Sequence, residues 1–149
     1  MDKNLNNIFV ISSPSGGGKS SLIEALLSDE RAEKIKLSVS FTTREIRSSE
    51  KNQKDYIFMK EDELMKKIDD GDFIEYANVF GNFYGTDKLL TEKILKSKDI
   101  LLELDWQGAF SLKKTLFNHE QSKWLVIFYY RSREIYALRY GEYKAHFIS

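Results

Sequence analysis

Ser13, Pro14, Ser15, Gly16, Gly17, Gly18, Lys19 and Ser20 follow one another in the Walker A spacing, with Ser13 where the first glycine would stand. These residue types suit a polyphosphate. Successive backbone N–H groups of a glycine turn converge on the anion, Lys19 reaches the β and γ phosphates, and Ser20, followed by Ser21, can ligate magnesium. Ser13 must fit the tight turn without glycine's freedom. A loop of this kind needs a second anchor for the cation, usually an acid at the end of a neighbouring buried strand. Asp105 ends the apolar run Ile100-Leu101-Leu102-Glu103-Leu104, and Glu103 is expected on the same face two residues earlier. Acids on so apolar a strand call for a partner, because burying an unpaired charge is costly. A second constellation is Arg44 and Arg47, with Thr42 and Thr43 beside them and Glu50 and Tyr56 close by. Guanidinium groups bind phosphate bidentately and tyrosine hydroxyls add donors, so this set suits an anion that the glycine loop does not hold.

The elements that must position these groups are legible in the hydrophobic pattern. Asn7-Ile8-Phe9-Val10-Ile11 is a short β-branched apolar run, a buried strand that feeds the glycine loop. Behind the loop, Leu22, Ile23, Leu26 and Leu27 are spaced for one face of a helix. Residues 35 to 39 alternate as a strand. Residues 41 to 54 show no apolar period and read as a functional or disordered loop. Residues 56 to 59 read as a strand, and 61 to 70 as a short helix closed by Gly71. Residues 73 to 77 and 82 to 84 are two further strands around Phe80-Gly81, enough for a small sheet. Asp87 is the expected N-cap of a helix over 87 to 96. Residues 100 to 105 form a central parallel strand covered on both faces, 107 to 116 a helix, and 124 to 128 a buried strand. Strands alternating with helices predict an α/β fold with a mostly parallel sheet and an inserted small α+β lobe at about 41 to 86. After Phe128 come Tyr129, Tyr130, Tyr136, Tyr140 and Tyr143, with no assignable element.

Composition narrows the function classes. The chain has 149 residues, one domain's length, and is 42% hydrophobic, enough for a core. Its 23 basic residues balance 23 acidic ones, so no global field favours nucleic acid or an anionic membrane. It has no cysteine, which excludes disulfides and thiolate chemistry. His119 and His146 are the only histidines, leaving little for a zinc site or a His-based triad. With no signal-like N-terminus and no apolar run long enough to span a bilayer, a soluble cytoplasmic protein is expected.

Residues 12 to 22, Val39-Ser40-Phe41-Thr42-Thr43-Arg44-Glu45-Ile46-Arg47, Asp55-Tyr56-Ile57-Phe58, Gly71-Asp72-Phe73-Ile74-Glu75-Tyr76-Ala77, Gly81-Asn82-Phe83-Tyr84-Gly85-Thr86 and Leu102-Glu103-Leu104-Asp105-Trp106-Gln107-Gly108-Ala109 together resemble guanylate kinase, in order, from about residue 7 to 128. The resemblance implies a P-loop NTPase fold with a parallel sheet flanked by helices, built from residues 1–40 and 87–128, and a GMP-binding lobe at 41–86. It implies ATP on residues 13 to 21, with Mg2+ between Ser20 and Asp105. The GMP set is Ser40, Arg44, Arg47, Glu50, Tyr56, Glu75, Tyr84, Thr86, Glu103 and Asp105. Within it, Arg44, Arg47, Tyr56 and Tyr84 hold the phosphate, and Ser40, Glu75, Thr86 and the acids near Asp105 read guanine. Glu75 is the specificity residue, since a carboxylate accepts from guanine N1–H and the exocyclic amine together. The implied reaction moves the γ-phosphoryl of ATP to GMP, with Lys19, Arg44 and Arg47 neutralising charge.

The sequence departs from the family pattern in four places. Phe41 stands before the Thr-Thr-Arg block where a small or polar residue is usual, Ser48-Ser49 where a Pro-Gly or Ala-Gly turn is usual, and Gln53 where glycine is common. Beyond 128 the segment that would carry the lid arginines is not recognisable. Arg131, Arg133 and Arg139 take no catalytic role, and the expectation is a shortened or frame-altered kinase of reduced activity. The alternatives are a non-catalytic guanylate kinase-like binding module and a different nucleoside monophosphate kinase.

Overall fold

The computed structural model describes residues 6–12, 18–118, 125–131, 134–140 and 143–146. Two sheets organise it. The larger runs in the order β10-β9-β8-β1-β7-β2. Its strands are β1 (Ile8–Ser12), β2 (Ile35–Leu37), β7 (Asp99–Leu104), β8 (Leu125–Arg131), β9 (Glu134–Tyr140) and β10 (Tyr143–His146). β2, β7, β1 and β8 are parallel, whereas β9 returns antiparallel to β8 and β10 antiparallel to β9. The smaller sheet has the order β4-β3-β6-β5, built from β3 (Phe41–Thr42), β4 (Ile57–Phe58), β5 (Phe73–Val79) and β6 (Asn82–Asp87).

Strand alternation divides the core between the two faces of the larger sheet. Ile8 and Val10 of β1 and Ile100, Leu102 and Leu104 of β7 turn one way. There they meet Leu95 of helix α3 (Lys88–Leu95) and Ala109 and Leu112 of helix α4 (Trp106–Asn118). Ile11 and Leu101 turn the other way, onto Ile23 of helix α1 (Lys19–Leu27). Parallel strands covered on both faces are apolar throughout, which is why this part of the sheet is so visible in the sequence.

The structure adjusts several expectations. Residues 41 to 54 are not all loop: β3 lies inside the smaller sheet, and Phe41 and Thr42 are buried. The strand beginning at Ile35 ends at Leu37, and α4 begins one residue before its expected start. Helix α2 (Glu61–Asp69) and the Asp87 cap are where the sequence puts them, the Asp87 carboxylate accepting from the Leu90 N–H. The segment after 128, which carries no assignable element by sequence, forms the end of β8 and the strands β9 and β10. Arg131 and Arg139 fall on those strands, and Arg133 lies outside the described residues.

Candidate functional site

Residues 13 to 17 of the glycine loop lie outside the described residues. The chain continues directly into a helix N-terminus: Gly18 takes a left-handed φ of 81° and α1 opens at Lys19, with Ser20 and Ser21 in its first turn. Glu103 is the acid that meets it. Alternation along β7 puts Glu103 on the same face as Leu101, the face that α1 covers. There the Ser20 hydroxyl donates to Glu103 Oε1 at 3.4 Å. Burial pushes the Glu103 carboxyl up from its ordinary value, opposed by the Lys19 charge and the Ser20 hydrogen bond.

Asp105 goes elsewhere. β7 ends at Leu104, so the expected shared face of Glu103 and Asp105 is lost where the chain turns into α4. Asp105 caps that helix, its Oδ1 accepting from the Gly108 N–H at 2.8 Å and its carbonyl from Ala109 at 3.0 Å. Ser20 and Asp105, expected to share a cation, are therefore each joined to a different group, and the carboxylate beside Ser20 is that of Glu103.

Asp105 faces Glu75 instead. A register shift between Phe73 and Glu75 marks a bulge in β5. Around it, Ile74 packs on the cluster containing Ala109 and Leu112, and the neighbouring Glu75 also reaches α4. Glu75 is 3% exposed, opposite Thr86 in the β5–β6 ladder, and accepts from the Thr86 hydroxyl at 2.5 Å. Burial, joined by the nearby Asp105 charge and opposed by Thr86, pushes its carboxyl up to about 7.

Two residues along the same hairpin, Tyr84 opposes Ala77 and begins the second cluster. Arg44 forms a bidentate pair with Glu50, at 2.7 Å to Oε1 and 3.1 Å to Oε2, and donates to the Glu45 carbonyl at 2.8 Å. Its guanidinium lies over the rings of Tyr56 (5.4 Å) and Phe58 (5.7 Å). The Glu50 pair, with help from Tyr84, holds the Arg44 pKa above its ordinary value. Tyr56 meets Tyr84 edge to face at 6.0 Å. Burial first, then the charge of Glu103 across the gap, pushes the Tyr56 hydroxyl up to about 12. Arg47 gives Glu50 its backbone N–H at 2.9 Å and leaves its side chain exposed. Ser40 precedes β3, its carbonyl accepting from Ile57.

The structure thus brings together Arg44, Glu50, Tyr56 and Tyr84 in one group, Glu75, Thr86 and Asp105 in a second, and Lys19, Ser20 and Glu103 in a third. Sequence reasoning missed Phe58 and Gly108. Phe58 ends β4, two residues after Tyr56. Gly108 sits three residues after a capping acid, where a side chain would crowd the helix N-terminus. Among the described residues, no group of three or more His, Cys, Asp or Glu side chains could hold a metal ion, and no helix is long and apolar enough to cross a membrane.

A family model described as guanylate kinase matches residues 5–128. The chain is 44% identical over 108 residues to a guanylate kinase of Hahella chejuensis, covering 72% of this chain and 51% of that protein. It is 47% identical over 113 residues to one of Paraburkholderia xenovorans, covering 75% and 49%. A crystal structure of guanylate kinase from Anaplasma phagocytophilum superposes with a TM-score of 0.67 at 38% identity, over 85% of this chain and 60% of that one. The chain spans about half the length of the curated relatives it matches.

Proposed function

The chain belongs to the guanylate kinase family, and from that premise we propose that it transfers the γ-phosphoryl group of ATP to GMP, giving ADP and GDP. The observation that carries the reading is the division of labour along the β5–β6 hairpin. A buried carboxylate, Glu75, sits at one position, and an arginine held between Glu50, Tyr56 and Phe58 sits beside Tyr84 two residues further on. A base that offers two adjacent donors and a phosphate that needs a guanidinium would be met together there. In this reading residues 41–86 receive GMP and residues 1–40 and 87–128 carry the ATP loop.

Each group has a role in that chemistry. Glu75, with Thr86 fixing one of its oxygens, accepts from guanine N1–H and the exocyclic amine, an edge adenine lacks. Asp105 lies beside it for the same edge. Arg44, joined by Arg47, Tyr56 and Tyr84, holds the acceptor phosphate. That phosphate has a second pKa near ~6 and is largely dianionic at neutral pH, so no side chain need remove a proton. One of its oxygens attacks the γ-phosphorus as the bond to the β–γ bridging oxygen breaks. Catalysis is then alignment and charge neutralisation by Lys19 and the arginines.

The donor set fits Mg2+: a hydroxyl and a carboxylate oxygen, Ser20 Oγ and Glu103 Oε1, lie 3.4 Å apart at the N-terminus of α1. A hard cation that keeps several waters and phosphate oxygens needs few protein ligands. Bound there, it would neutralise charge on the ATP phosphates. The same reading places the protein in the cytoplasm with its two nucleotides.

The test is a coupled ADP-release assay with ATP–Mg2+ and GMP, AMP or UMP as acceptor, run beside calorimetry of each nucleotide. GMP-dependent turnover well above that with AMP and UMP is expected. Absence of both GMP turnover and GMP binding would overturn the reading, and GMP binding without turnover would turn it into a binding module.

A further inference from the structure

Gly108 is the third residue of α4 and is buried. A Cβ built on it would lie 2.8 Å from Glu75 Oε2, 3.2 Å from Asp105 Oδ1 and 3.6 Å from Leu104 Cβ. The two nearest obstacles are thus carboxylate oxygens, and they belong to the two acids that the proposed function sets against guanine. Its N–H is also the donor that fixes Asp105. On the other side, a bulge marks β5 between Phe73 and Glu75, and Glu75 Oε1 accepts from the Thr86 hydroxyl at 2.5 Å, a bond that any displacement of the carboxylate away from Gly108 must strain.

Resting on the guanylate kinase reading, we infer that Gly108 is a positioning residue for base selection: the missing side chain is the space in which the Glu75 carboxylate sits, and it sets the spacing of Glu75 and Asp105. A separation below 3.0 Å is one that real Cβ atoms do not show, so something must shift. The element most able to shift is the end of the Glu75 side chain, whereas the helix and strand backbones are held by their ladders. Adding one methyl group therefore moves the specificity carboxylate rather than unfolding the protein. Alanine is also the better helix former, which offsets the cost of displacing the carboxylate.

The test is Gly108→Ala, with GMP and ATP–Mg2+ affinities measured by calorimetry, melting temperature by circular dichroism, and the Glu75 side-chain carboxyl followed by 13C NMR. The expected result is GMP affinity lower by about tenfold or more, the loss that follows when hydrogen bonds to a charged acceptor are misaligned. ATP affinity and melting temperature are expected to hold, and the Glu75 signal to move. In a Glu75→Asp background, the shorter carboxylate no longer meets the added methyl, so Gly108→Ala is expected to cost less than about threefold more. GMP affinity within about twofold of the parent, or equal losses for GMP and ATP, would overturn the inference. If the parent protein itself fails to bind GMP, the functional reading falls. The Glu75 signal then decides the geometry alone: a shift on adding the methyl upholds it and an unmoved signal overturns it.

Discussion

Arg44 shows how much a single side chain depends on its neighbours. Its bidentate bond to Glu50 and its place over two aromatic rings use the planarity of guanidinium, which an ammonium cannot reproduce. Arg44→Lys keeps the charge and is expected to raise the KM for GMP by about tenfold or more, with ATP binding unchanged, in steady-state kinetics and calorimetry. Glu75 makes the opposite kind of demand. Its folded-state pKa of about 7 lies above the ordinary 4.5, so between those values the native state holds a proton that the unfolded chain has released. Stability conferred by the protonated carboxyl is full below about pH 4.5 and is lost as pH rises toward 7, by up to about 1.4 kcal/mol per unit. Glu75→Gln removes that slope. Its melting temperature is expected to exceed the parent's by a margin that widens from pH 5 to pH 8, while guanine selection is lost, and a margin independent of pH would contradict the assignment. Arg44 was visible as one of a pair of arginines in a polar loop, whereas Glu75 entered only through the resemblance to guanylate kinase. The cation was expected at Asp105 because that acid closes an apolar strand, but the strand stops at Leu104, and the face expected to be shared by Glu103 and Asp105 is lost with it.

At the scale of elements, the long apolar strands and the capped helices were legible, and the two-residue strand β3 was not. Two residues have no period. What holds β3 is tertiary: Phe41 meets the ring of Phe73 at 5.7 Å beneath the Lys67 ammonium, and Lys67 is paired with Asp72 at 2.7 Å and Asp87 at 3.4 Å. The unusual phenylalanine before the Thr-Thr-Arg block thus fills the interior of the smaller sheet. The strands β9 and β10 escaped for a related reason, since an antiparallel ribbon at a sheet edge carries no continuous apolar signal. Gln53, noted for standing where glycine is common, proves to have a φ of 66°. At the tip of the β5–β6 hairpin, Phe80 has a φ of 51° and is 93% exposed. A side chain in the left-handed region costs roughly 1–2 kcal/mol, and neither position repays it with buried area. Gln53→Gly and Phe80→Asn are each expected to raise stability to urea by about 0.5–1 kcal/mol, with Asn the residue such a hairpin turn favours. A loss of stability at position 80 would mean that the exposed ring makes a contact worth more than the strain.

The whole molecule joins two sheets through α4, which belongs to the core of the larger sheet at Ala109 and Leu112 and meets β5 of the smaller one through Gly108. The proposed guanine site therefore belongs to neither part alone: Glu75 and Thr86 come from the smaller sheet, Asp105 from the turn that leaves the larger. A ligand seated there would bridge the two and couple their local openings, which amide exchange reads residue by residue. GMP added without ATP is expected to slow exchange not only across β5 and β6 but also at the amides of residues 106 to 109, whose donors belong to the α4 N-terminus. ATP–Mg2+ alone is expected to protect the first turn of α1 and leave those amides unchanged. Protection by GMP confined to the smaller sheet would separate Asp105 and α4 from base recognition and leave Glu75 to act alone. Matching protection from either nucleotide would instead mean that the response is a general tightening of the fold, not occupancy of two distinct sites.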